Sequence, residues 1–216
     1  MNTIISFGIC PFVQRSLITM NYKKVPYELK YIDLDDKPDW FLKLSPLGKV
    51  PVLLVDDEVL FESAVINEYI DEVNGASLHC PDPLKKAQER AYIELSSVAT
   101  MNYFQSITAK DEENYLVKKE MLEKNLTSLL AKYNGPFFRG GEFSLVDTSV
   151  IPLIMRLFMT GDFASVLELS SEDTKKLQDW AAATLSMPEV VNSVPETFES
   201  DHLDYLRDKE SYFLSL

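Results

Sequence analysis

Two textures of apolar spacing meet near residue 75. Before it, short runs alternate between strand and helix patterns. Thr3–Phe7 is an apolar run closed by Gly8 and predicts a buried strand. Pro11 suits a first helical turn, and Val13, Leu17 and Met20 then share one helix face. Tyr27, Leu29 and Tyr31 alternate with polar neighbours, the mark of a half-buried strand. Pro38–Leu44 predicts a short helical stretch, Val50–Val55 a buried strand and Val59–Phe61 its hairpin partner, with Asp56-Asp57 between them. Ser63 is placed to cap a helix carrying Val65, Ile66, Tyr69 and Ile70, stopped by Asn74-Gly75. The first two strands, joined through a helix, should be parallel.

After residue 75 the period lengthens. Leu84–Ile107 and Glu113–Tyr133 read as long helices. Ser144 with Asp147 three residues on resembles a capping box. The segment it opens is apolar nearly all round, from Val150 to Met159, which places it at the centre of a helical domain. Glu172–Ser186 and a short piece after Pro188 complete the set, and the acidic tail from Glu196 is given no element. The expected organisation is α/β plus all-α: a thioredoxin-sized domain over residues 1–76, a linker over 77–84 and an all-helical domain over 85–216.

Composition narrows the partners. Lys and Arg number 21 against 34 Asp and Glu, a formal charge of −13. That disfavours nucleic acid and anionic membrane as partners, since both select clustered cations. No apolar run approaches the roughly 18 residues that would span a bilayer. Polar Gln14, Arg15 and Ser16 in the first helix argue further against insertion. The start, MNTIISFGICPF, lacks the features of a secretion signal. Two cysteines, Cys10 and Cys80, make a disulfide scaffold improbable and a reducing, cytoplasmic setting the expectation. With two histidines, His79 and His202, no metal site is expected.

The chemistry concentrates at Cys10, between a strand end and the first turn of a helix. Unpaired N–H groups and the helix dipole favour a thiolate there, so its pKa is expected below the free value of about 8.5. Val13 stands where a redox dithiol would carry its second cysteine. An active Cys10 must therefore form a mixed disulfide with an outside thiol, resolved by another.

Cys10-Pro11-Phe12 with Gln14-Arg15 is similar to the omega class of the cytosolic glutathione transferases. Asp36–Phe41, Pro46–Leu53, Phe61-Glu62-Ser63 and Ser144–Asp147 follow in that superfamily's order. The resemblance covers nearly the whole chain. It implies the glutathione transferase fold, with a thioredoxin-like N-terminal domain and an all-helical C-terminal domain. It implies glutathione as co-substrate, a cis bond before Pro51, and a backbone pairing at Val50 that resembles strand addition. Glu62 and Ser63 would hold the γ-glutamyl end, Lys37 and Lys49 the glycyl carboxylate, and Phe12 would line the pocket beside the thiol. A cysteine in place of a catalytic hydroxyl implies thiol transfer or dehydroascorbate-type reduction rather than conjugation. The second substrate, a small electrophile or disulfide, would sit between the domains over Cys10, walled by helices starting near 84 and 113. Family members are usually homodimers, so a homodimer is expected. The competing class is a non-catalytic protein of this fold with an interaction or regulatory role, and a third is a glutathione lyase or isomerase.

Overall fold

The computed structural model describes residues 2–160 and 162–216. The first part runs β1 (Asn2–Ser6), α1 (Pro11–Lys23), β2 (Tyr27–Tyr31), α2 (Asp39–Leu44), β3 (Val52–Val55), β4 (Glu58–Phe61) and α3 (Ser63–Val73). The sheet order is β2-β1-β3-β4, with β1 parallel to β2 and antiparallel to β3. Ile4 faces Leu29 on one side and Leu53 on the other, which fixes the register. Consecutive strand residues point to opposite faces. Ile4 accordingly packs with Val13, Leu17, Met20, Ile66 and Ile70 beneath α1 and α3. Ile5 packs with Ile32, Phe41 and Val52 beneath α2. Burial on both faces is why β1 reads as a continuous apolar run rather than an alternating one.

The second part is helical: α4 (Pro83–Ile107), α5 (Glu112–Leu130), α6 (Leu145–Met159), α7 (Ser171–Thr184), α8 (Pro188–Val191) and α9 (Phe198–Asp208). α6 is buried along almost its whole length, as its largely apolar sequence predicts. Its start is a complete capping box of Ser144 and Asp147. The Asp147 carboxylate accepts from the Ser144 amide at 2.9 Å and hydroxyl at 2.6 Å, the Phe138 amide at 2.8 Å and Trp180 Nε1 at 2.9 Å.

The two parts meet along α1, where the polar residues Gln14, Arg15 and Ser16 are buried. Arg15, 1% exposed, donates from Nε to the Ser149 carbonyl at 2.9 Å. Its terminal nitrogens donate to Ser97 Oγ at 2.7 Å and Ser96 Oγ at 3.1 Å. Arg15 enters the interior because α4 and α6 supply its partners, whereas the buried Ser16 hydroxyl has none among the described residues.

Candidate active site

Cys10 is the N-cap residue of α1, with extended backbone (φ −74°, ψ 118°) and Pro11 opening the helix. Its amide donates to the Phe7 carbonyl at 3.0 Å, and its carbonyl accepts from the Gln14 amide at 3.1 Å. The residue is half-buried. It lines a cavity of about 190 Å³ with Phe7, Phe12, Leu34, Met101 and Tyr205 among its neighbours. Burial pushes the thiol pKa up from its ordinary value, against the Val13 and Phe12 amides and the positive charges of Arg156 and Arg15. This corrects the sequence expectation of a depressed pKa. The helix N-terminus acts in the expected direction, but burying a charge in an apolar pocket costs more than it returns.

A second cavity, of about 330 Å³, gathers most of the other predicted residues. Phe12, Lys49, Val50, Glu62 and Ser63 line it, together with Ser45, Pro51 and Met101. The two cavities share Phe12 and Met101, so one partition separates Cys10's pocket from this one. Lys37 is not among the lining residues. It is exposed, and its Nζ lies 3.8 Å from the position a Cβ on Gly48 would take. The structure therefore brings Lys49 to the cavity lining and leaves Lys37 outside it, beside Gly48.

The backbone around Val50 is shaped for pairing. The Val50–Pro51 bond is cis. Among the described residues no protein group bonds the Val50 amide or carbonyl. Ser45 fixes the approach: its hydroxyl accepts from the Lys49 amide at 2.9 Å and donates to the Lys49 carbonyl at 2.8 Å. Ser45 carries no sequence signal, because a loop serine four residues from its target looks like any other.

The turn into α3 corrects a second expectation. Glu62, not Ser63, is the N-cap residue, and Ser63 is the first helical residue, 6% exposed. Glu62 has φ +69°, a left-handed value uncommon for a residue with a side chain. Such backbone persists where the surroundings impose it, and it clusters at ligand sites. Neither side chain caps the helix.

The walls above Cys10 differ from those expected. α4 contributes Thr100, Met101, Tyr103 and Phe104, as its predicted start near 84 implies. No residue of α5 lines the cavity, and α9 takes that place with His202, Tyr205 and Leu206. The remaining wall is Arg156 of α6. Neither α9 nor Arg156 was legible as a site element. The tail is dominated by acidic residues, and an arginine in an apolar helix carries no distance information.

The model for the glutathione S-transferase N-terminal domain matches residues 9–73. "Glutathione S-transferase omega-1" of Sus scrofa is 34% identical over 194 residues, covering 87% of this chain and 78% of that protein. The chain belongs to the glutathione S-transferase family. A second relative of this transferase is "Glutathione S-transferase DHAR3, chloroplastic" of Arabidopsis thaliana. It is 35% identical over 150 residues, covering 69% of this chain and 55% of that protein, so the match spans about half of it. Among solved structures, glutathione transferase Omega 3C from Trametes versicolor superposes with a TM-score of 0.79 at 24% identity. That match covers 96% of this chain and 91% of the other. The glutathione S-transferase fold thus holds a mixed four-stranded sheet and the helical part that follows it. Among the described residues of this transferase, no group of three or more His, Cys, Asp or Glu side chains could hold a metal. Among the described residues no helix is long and apolar enough to cross a membrane.

Proposed function

We propose that the chain is a glutathione-dependent thiol transferase and reductase that works through a mixed disulfide at Cys10. The observation that carries this is the shared partition: the cysteine's cavity adjoins the one lined by Lys49, Val50, Glu62 and Ser63. A tripeptide seated in the second would present its sulfur across Phe12 to the first. Residues 1–76 hold the tripeptide, and the helical residues 85–216, reached through the 77–84 linker, cover the thiol.

The Glu62 carboxylate takes the γ-glutamyl ammonium, and Ser63 with the first amides of α3 takes its carboxylate. Val50 pairs with the cysteinyl backbone like an added strand. Lys49 reaches the glycyl carboxylate, and Lys37, beside Gly48, adds its charge to the same loop. Two of the relatives are named for the omega class and for DHAR. Both names agree with thiol transfer and dehydroascorbate reduction rather than conjugation.

The chemistry balances in two exchanges. The Cys10 thiolate attacks the glutathionyl sulfur of a disulfide RS–SG, forming Cys10–S–SG and releasing RS⁻, which takes a proton. A second glutathione thiolate attacks that bond, yielding glutathione disulfide and freeing Cys10. Val13 leaves no internal resolving thiol one turn along the helix. We take the working form to be a homodimer in the cytoplasm, where a reducing pool supplies glutathione.

Incubation with glutathione disulfide and intact-mass detection tests the reading. One glutathione adduct is expected, absent from Cys10→Ser and reversed by reduced glutathione. Folded protein without an adduct would discard it in favour of an interaction role.

A further inference from the structure

We propose that Arg156 is a positioning residue for this reaction, a buried internal cation that holds the Cys10 turn and stabilises the thiolate. The inference rests on the reading of Cys10 as nucleophile. Arg156 is 2% exposed and lines the cavity that Cys10 lines, yet no carboxylate is within ion-pair distance among the described residues. A buried guanidinium without an anion is costly and rare unless it answers a charge formed elsewhere.

Its fixed hydrogen bonds aim it. Nη1 donates to Gln14 Oε1 at 2.7 Å and to the Pro152 carbonyl at 2.6 Å. Nη2 donates to the Ile9 carbonyl at 2.8 Å, the peptide unit that leads into Cys10. A guanidinium has five N–H donors. Nε–H and the second Nη2 hydrogen therefore have no protein acceptor among the described residues. One arginine thus grips both flanks of the cysteine, Ile9 before it and Gln14 after it.

The groups around Arg156 offer it no carboxylate, and Arg15 shares its action on Cys10. From α1 comes Arg15, also cationic, three of whose donors go to Ser96, Ser97 and Ser149. From α4 comes Tyr103, whose hydroxyl is pushed up to about 12 by burial and stays neutral. From α9 come His202, lowered to about 4 by burial and the Arg156 charge, and Tyr205, whose pKa burial raises. Glu94 of α4 acts on Arg15. The anion left for Arg156 to meet inside the cavity is the Cys10 sulfur.

The test is the pH profile of Cys10 alkylation by iodoacetamide, read by peptide mass so that Cys80 is counted separately, in the full chain without glutathione. Arg156→Met and Arg156→Gln remove the charge, the second keeping a polar group of similar reach. Arg156→Lys keeps a charge but not the fork. Both neutral variants should move the midpoint up by about one pH unit, slowing alkylation about tenfold below it, with Arg156→Lys recovering most of the rate. A lowered melting temperature with an unmoved midpoint in either folded neutral variant would overturn the proposal and leave Arg156 a strut. Because the readout needs no glutathione, it fails separately from the adduct experiment. A wild-type protein that alkylates at Cys10 yet takes no adduct would sink the functional reading instead.

Discussion

A carboxylate surrounded by four donors shows what one residue contributes. Asp147 accepts from Ser144 twice, from Phe138 and from Trp180. Asp147→Ala strands those donors in the interior, and unfolding free energy should fall by about 3 kcal/mol or more in urea titrations. Asp147→Asn, which keeps an acceptor, should lose less. The Ser144–Asp147 spacing announces the helix start in the sequence, but the Trp180 bond is invisible there. A partner 33 positions away leaves no local pattern. Cys10 shows the same division. Its place at a strand-to-helix turn is readable, whereas the burial that raises its proton affinity comes from distant elements, and the stripe of Phe198, His202 and Leu206 on α9 does not say which cavity that helix will close. Raised by that burial, the thiol should react faster with every step upward in pH through the ordinary cysteine range, rather than levelling off below neutrality. A plateau below pH 7 in wild-type alkylation would contradict this.

Two short backbone devices, the loop of residues 45–51 and the turn into α3, shape the cavity lined by Lys49, Val50, Glu62 and Ser63. Glu62→Gln keeps the side-chain length and removes the charge, so KM for glutathione should rise roughly tenfold while kcat stays within about twofold. A fall in kcat alone would place Glu62 in the chemistry instead. Ser45→Ala removes both bonds to Lys49 and should also raise KM, because the loop loses its fixed outline. Many strand and helix elements were legible, since Ile4-Ile5, Val52–Val55 and Val150–Met155 are apolar runs. The positive φ at Glu62 was not, as glutamate at such a position gives none of the warning a glycine gives.

At the scale of the molecule, His79 joins the two parts. Its Nδ1 lies 2.8 Å from Glu89 Oε2 of α4 and its Nε2 2.8 Å from Glu68 Oε1 of α3. Arg90 bonds Glu68, while Arg139 and the Cys80 amide reach Glu89. Burial by itself would lower the His79 pKa, but the hydrogen bonds and charges of Glu89 and Glu68 outweigh it and raise it. With the folded value above the unfolded one, the imidazolium's contribution is complete below about pH 6.5 and fades as pH rises through the raised value. The urea midpoint should drop over that interval in wild type and stay flat in His79→Gln. An equal drop in both would assign the loss to other groups.

The strut made by Arg15 has a consequence for how the chain can be divided. Cut away from α4 and α6, residues 1–76 would carry a guanidinium whose three acceptors had gone with the other piece, on a helix face otherwise moulded to be covered. Severed halves should therefore clump or melt when made individually and regain solubility when co-produced. Gene-level shuffling of one half would succeed where the incoming segment brings serines to receive that arginine.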